Sequence, residues 1–170
     1  MRGFDFETGS LAEEAFSGPH LQLVFCADWA PARTYARPLR ENPGSLYPPE
    51  VMRILEAADH RIVNVETVLH PEPDAVRPVY KEGPNLIGPS GAVRDLQTAG
   101  FDVGLLANNH TYDFGREGLQ ATREVLETVG LQTCGTGTCQ DDAYDGLILE
   151  GNGLAVALVN FQEGEEGGWT

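Results

Sequence analysis

Four oxygen-bearing side chains and one imidazole stand where apolar runs of this chain end. Asp28 follows "LQLVFCA", Glu66 closes "RIVNVE", and Asn108, Asn109 and His110 follow "FDVGLLA". Oxygen donors drawn from separate strands are a usual way to hold a divalent cation, so Asp28, Glu66 and Asn109 are candidate metal ligands. His110 is a candidate ligand or general acid, held by a nearby carboxylate such as Asp113. The stretch "LLANNHTYDFG" (105–115) concentrates this chemistry where a plain turn needs only one Asn or Gly.

Taken singly, each residue has an ordinary structural reading. Asp28 would cap a turn, Glu66 would sit on a solvated edge, and one of the two Asn would take a left-handed turn conformation. His110 would be a hydrogen-bonded structural histidine. The site reading requires all four at one edge of one sheet, which depends on the elements that carry them.

"LQLVFCA" (21–27), "RIVNVE" (61–66) and "FDVGLLA" (101–107) have strand length and strand composition. "EVMRILEAAD" (50–59) sets Val51, Ile54, Leu55 and Ala58 at helical spacing behind prolines. Ser90 reads as the N-cap of a helix reaching Ala99, closed by Gly100. "REGLQATREVLETV" (116–129) gathers Leu119, Thr122, Val125, Leu126 and Val129 on one face, and Gly130 stops it. "GLILE" (146–150) and "LAVALVN" (154–160) form a hairpin through Gly151-Asn152-Gly153. Residues 28–49 and 67–89 read as Pro-rich loops, residues 1–20 as a loose lead-in, and 21–170 as part of a single domain. Strands alternating with helices predict an α/β fold whose first sheet is largely parallel, with ligands at the carboxyl ends of its strands.

Composition excludes several partners. A net charge of −15 lacks the basic footprint that nucleic acid or an anionic membrane requires. With 41% hydrophobic residues the chain can pack a core, yet it has no apolar run long enough to span a bilayer. The N-terminus, "MRGFDFETGSLAEEAF", carries acids where a signal peptide needs bases, so the expectation is a cytoplasmic chain. Cys26, Cys134 and Cys139 form no zinc knuckle and fit a reducing compartment. His20 and His60 precede strands and belong at the far edge; His70, four residues past Glu66 in a loop, could reach the site but reads better as a residue outside it. Glu163, Glu165 and Glu166 read as a solvated loop; Arg77 and Lys81 read as solvated surface or as contacts for an anion.

The run "ANNHTYDFGREGLQATREVLETVG", preceded by "AGFDVGLL" and by "NVE", resembles the bacterial capsule-synthesis proteins of the CapA type. These are associated with poly-γ-glutamate synthesis and belong to the calcineurin-like metallophosphoesterase superfamily. The resemblance covers residues 21–160. It implies a four-layer α/β/β/α sandwich with a two-metal site, loaded with Mn²⁺ or Mg²⁺, at the strand ends. By this resemblance Asp28 matches the metal-binding Asp of the first strand, Glu66 the bridging acid, Asn109 the Asn ligand and His110 the catalytic His. Two metals would clamp a phosphoryl oxygen and activate water, and His110 would protonate the leaving group.

Two departures shape the expectation. Ala30 stands where many superfamily members have a histidine, and no histidine follows His110, whereas the family supplies further His ligands from a second half. The chain is therefore expected to be the N-terminal part of a longer protein. Its two-metal site would be complete only in the full-length chain, and an uncovered sheet face would favour homo-oligomers. Members of the family are often membrane-anchored. The function implied is a metal-dependent phosphoesterase-like hydrolase acting on a small-molecule or polymer substrate. Two alternatives stay open: a non-catalytic accessory protein that holds an acidic polymer, and a metal-dependent amide hydrolase on γ-glutamyl substrates.

Overall fold

The structure, a computed structural model, describes residues 4–5, 10–11, 18–137 and 139–163. Most of the lead-in, along with Glu165 and Glu166, lies outside the described residues.

Four strands make one parallel sheet: β1 (Leu23–Trp29), β2 (His60–Val65), β5 (Val103–Leu105) and β6 (Gln132–Cys134), side by side in that order. The side-chain alternation of the strands sorts its two faces. Val63 and Val65 of β2 join Leu55, Leu96 and Leu126 in the larger core. Those three come from helices α2 (Pro49–Ala57), α3 (Arg94–Ala99) and α4 (Gly115–Thr128). Ile62 and Val103 point the other way, to Leu149 and Leu158 of the hairpin β7 (Leu147–Gly151) and β8 (Leu154–Leu158). Helices, parallel sheet and hairpin thus stack as α/β/β, in keeping with a metallophosphoesterase-like α/β fold. The hairpin turns through Asn152 and Gly153, both at positive φ (52° and 77°), as a two-residue turn matched to strand twist requires.

Several expectations are refined. The first strand runs two residues further than read, through Asp28 to Trp29, with a bulge between Cys26 and Asp28. Ser90 does not cap α3; Ser90–Val93 is a 3₁₀ turn that feeds the helix, and no side chain caps either element. Gly100 does close α3, in the left-handed conformation. In α2, Leu55 and its capping residue Ala58 are buried while Val51 and Ile54 remain exposed, so the buried stripe is narrower than the apolar spacing.

The two long loops are not wholly irregular. Residues 28–49 contain α1 (Ala36–Glu41), and residues 67–89 contain two short paired parallel strands, β3 (Val68–His70) and β4 (Ile87–Pro89). Strands of three residues are too short to show a period, and the prolines between them hid both. In α4, Thr122 serves the buried face by hydrogen bonding: its Oγ1 accepts from Leu69 N at 2.9 Å and donates to Gly118 O at 2.8 Å. No helix among the described residues is long and apolar enough to cross a membrane.

Candidate functional site

Because β1, β2 and β5 are parallel neighbours, their carboxyl ends meet at one edge, and Asp28, Glu66 and the 108–110 segment arrive there together. An amide ladder ties the three strand ends. Asn108 Nδ2 donates to Asn64 Oδ1 at 3.0 Å, and Asn64 Nδ2 donates to Asp28 Oδ1 at 2.8 Å. Asn108 also donates to Val65 O at 2.9 Å and accepts from His110 N at 3.0 Å. The first Asn of the pair is therefore the structural one. It holds the turn, and the exposed Asn109 beside it is left to face solvent. The sequence placed Asn64 at a strand end without giving it a role; its signal was a position one strand over from Asp28.

The ladder sets up a carboxylate pair. Asp28 is held below the usual carboxylate range, first by the Asn64 amide, then by a hydrogen bond with Glu66, and weakly by His110. Glu66 is pushed up, first by burial and then by the hydrogen bond and negative charge of Asp28. The opposite directions mean that Asp28 gives up its proton at lower pH than Glu66. His110 Nε2 stands 3.9 Å from Glu66 Oε1.

The imidazole is buried and is held from behind. Its Nδ1 lies 2.7 Å from Asp113 Oδ2, so Nδ1–H donates to the carboxylate and Nε2 is directed toward Glu66. Asp113 is itself 1% exposed, and its Oδ2 also accepts from Leu86 N at 2.6 Å. Its Oδ1 pairs with Lys81, whose Nζ donates to Asn109 O at 2.9 Å. Lys81 is thus not solvated surface; it turns inward, while Arg77 is exposed as expected. The pairing of His110 with Asp113 agrees with the expectation from the sequence. Gly115, at φ +63°, turns the chain from this segment into α4.

The donors fit a divalent cation in kind. Two neighbouring carboxyl groups offer hard oxygen ligands, and a bound cation would favour their ionised forms. In number they fall short: among the described residues, no group of three or more His, Cys, Asp or Glu is placed to hold a metal ion. Asp28, Glu66 and Asn109 supply at most part of a shell of about six ligands.

Beside Asn109 a cleft of about 460 Å³ opens, lined by Tyr112, Tyr144, Asn160, Phe161 and Glu163 among others, with no basic residue among the described ones. The remaining histidines stay away. His60 Nε2 contacts Glu150 O at 3.0 Å at the opposite end of β2, and His70 Nδ1 engages its own turn at Glu72. His20, also ahead of β1, accepts at its carbonyl from Asn152 Nδ2 at 2.8 Å. The three cysteines are free thiols.

Comparison with known proteins finds one family and two similar proteins. The family described as "Bacterial capsule synthesis protein PGA_cap" matches residues 22–170. Two proteins of Sinorhizobium fredii (strain NBRC 101917 / NGR234) are similar, named "Uncharacterized protein y4sH" and "Uncharacterized protein y4uA". They are 30% and 29% identical over 161 residues. Each alignment covers 90% of this chain and 32% of the relative, so the chain spans about a third of the length of the curated relatives it matches.

Proposed function

This chain belongs to the bacterial capsule synthesis protein family PGA_cap, and on that premise we propose that it contributes the strand-end half of a divalent-metal-dependent phosphoesterase-like hydrolase site. The observation that carries the reading is the Asp28–Glu66 carboxyl pair facing an imidazole backed by Asp113. Asp28, Glu66 and Asn109 would hold the metal, Mn²⁺ or Mg²⁺. When bound, such ions polarise a phosphoryl oxygen and make water a better nucleophile.

The chain's own residues do the rest. The Asn64–Asn108 ladder orients Asp28 before anything binds. Asp113 fixes the His110 tautomer and stabilises the ring when it is protonated, so that Nε2 can deliver a proton to a leaving oxygen on the Glu66 side. Asp28, Glu66 and Asn109 would need further ligands to complete the metal's shell.

A non-catalytic protein holding an acidic polymer is the second reading, favoured by the absence of a closed three-ligand set among the described residues. Against it stand the net charge of −15 and a cleft whose described lining has no base but includes Glu163. A metal-dependent amide hydrolase on γ-glutamyl substrates would use the same residues.

Calorimetric titration with Mn²⁺ comes first, on the parent chain and on Asp28→Ala and Asn109→Ala. Binding that both substitutions abolish supports the site, and binding that survives both refutes it. Mn²⁺-dependent turnover of a phosphodiester or phosphomonoester, lost in His110→Ala, separates the enzyme from the holder. Release of glutamate from a γ-linked peptide marks the amide hydrolase.

A further inference from the structure

We propose that Lys81 is a positioning residue of this site, the group that locks Asp113 and the Asn109–His110 peptide so that His110 presents one nitrogen to the reaction edge. The inference rests on the reading of His110 as the acid–base group.

A lysine side chain only 16% exposed needs partners for its charge and its donors. Lys81 has them at one spot. Its Nζ pairs with Asp113 Oδ1, donates to Asn109 O at 2.9 Å and stands 3.4 Å from His110 Nδ1. Tying down its own loop would be an ordinary role, but that loop is already fastened at both ends without it. Val79 N donates to Asp113 O at 2.8 Å, and Leu86 N donates to Asp113 Oδ2 at 2.6 Å. Asn85 Nδ2 closes the loop on Val79 O at 2.9 Å.

What Lys81 adds is aimed elsewhere. Asp113 Oδ2 already serves His110 and Leu86, and Lys81 occupies the other oxygen. With both oxygens engaged, the carboxylate cannot rotate away from the ring. Its second bond, to Asn109 O, fixes the peptide that joins the candidate metal ligand to the candidate acid. A flexible ammonium with three donors suits this junction, because the two acceptors lie in different directions.

The test uses the full chain carrying ¹⁵N-labelled histidine, with the His110 ring signals assigned by a His110→Gln control. In the parent, His110 should show a single tautomer protonated at Nδ1. In Lys81→Met it should show signals averaged between tautomers while far-UV circular dichroism keeps the native spectrum, and Lys81→Arg should keep the parent pattern. If Lys81→Met does not fold, Lys81→Gln decides: its shorter amide cannot reach both acceptors, so averaging is again expected. Parent-like His110 signals in a folded Lys81→Met or Lys81→Gln overturn the proposal.

A kinetic readout separates this inference from the functional reading beneath it. If the parent turns over a phosphoester with Mn²⁺, Lys81→Met should lower kcat on the order of 10-fold at unchanged KM, and Lys81→Arg should recover most of it. A rise in KM at unchanged kcat would instead make Lys81 a substrate contact and overturn the positioning role. If the parent neither turns over a phosphoester nor binds Mn²⁺, the hydrolase reading fails, and the ring signals still judge Lys81.

Discussion

Removing the Asp95 carboxylate should loosen the strand end that presents Asp28. Asp95, in the first turn of α3, is fully buried. It accepts three hydrogen bonds: from Trp29 Nε1 at 2.9 Å, Tyr47 OH at 2.8 Å and Gly44 N at 2.8 Å. Trp29 directly follows Asp28 and is buried, so its indole N–H has no route to water once the acceptor is gone. An orphaned buried donor costs about 1–3 kcal/mol. Tyr47 and Gly44 are only half-buried, so they recover part of their loss from solvent and add about 1 kcal/mol each. Asp95→Ala should therefore destabilise by about 3–5 kcal/mol, a large share of the ~5–15 kcal/mol of an ordinary domain. Asp95→Asn keeps one acceptor oxygen and sets an amide N–H₂ against one donor, so its cost should be about 1–3 kcal/mol. Urea unfolding followed by circular dichroism measures both. Trp29 fluorescence in a Trp169→Phe background reports whether the indole site opens. An Asp95→Ala variant within 1 kcal/mol of the parent, with unchanged Trp29 emission, would refute the reasoning.

Three further outcomes are expected. Asn64→Ala removes the largest influence holding Asp28 down, so the Asp28 carboxyl should titrate closer to the ordinary range; ¹³C NMR across the acid region checks this, and an unmoved titration would mean the ladder does not form in solution. Glu66 is raised in the folded chain, so the stability it contributes is present below its unfolded value of ~4.3 and lost as pH rises through the folded value. Glu66→Gln should accordingly melt above the parent at pH 7, converge with it in acid, and bind Mn²⁺ more weakly; a lower Tm at pH 7 would contradict the raised Glu66 carboxyl. A Cβ at Gly118 would lie 2.7 Å from Phe114 Cβ and 3.0 Å from Val68 Cγ1. Gly118→Ala should therefore cost about 1–3 kcal/mol in overpacking against ~1 kcal/mol of helix propensity, a net loss visible as a lowered urea midpoint.

The sequence by itself determined the elements whose signals are local. Apolar runs of strand length placed β1, β2 and β5, helical spacing and Gly130 placed α4, and Asn152-Gly153 placed the hairpin. The alternation of those elements was enough to expect parallel strands, and hence that Asp28, Glu66 and the Asn-Asn-His segment would share an edge. The pairing of His110 with Asp113 was also legible, because three residues of a tight turn bring the two side chains together.

Only the tertiary structure decided which polar group meets which across long separations. Asn64 reaches Asp28 across 36 residues and Asn108 across 44, and Trp29 meets Asp95 across 66. No local pattern encodes such distances; they follow from strand register and from helices packing on one sheet face. The same holds for Lys81. In sequence it is one base in a Pro-rich loop, and its inward turn exists only because β3 and β4 pair and Asp113 fastens the loop between them. The opposite displacement of the Asp28 and Glu66 acidities is likewise a property of place: it arises only where folding sets the two carboxyl groups side by side, one hydrogen-bonded by an amide and the other partly buried.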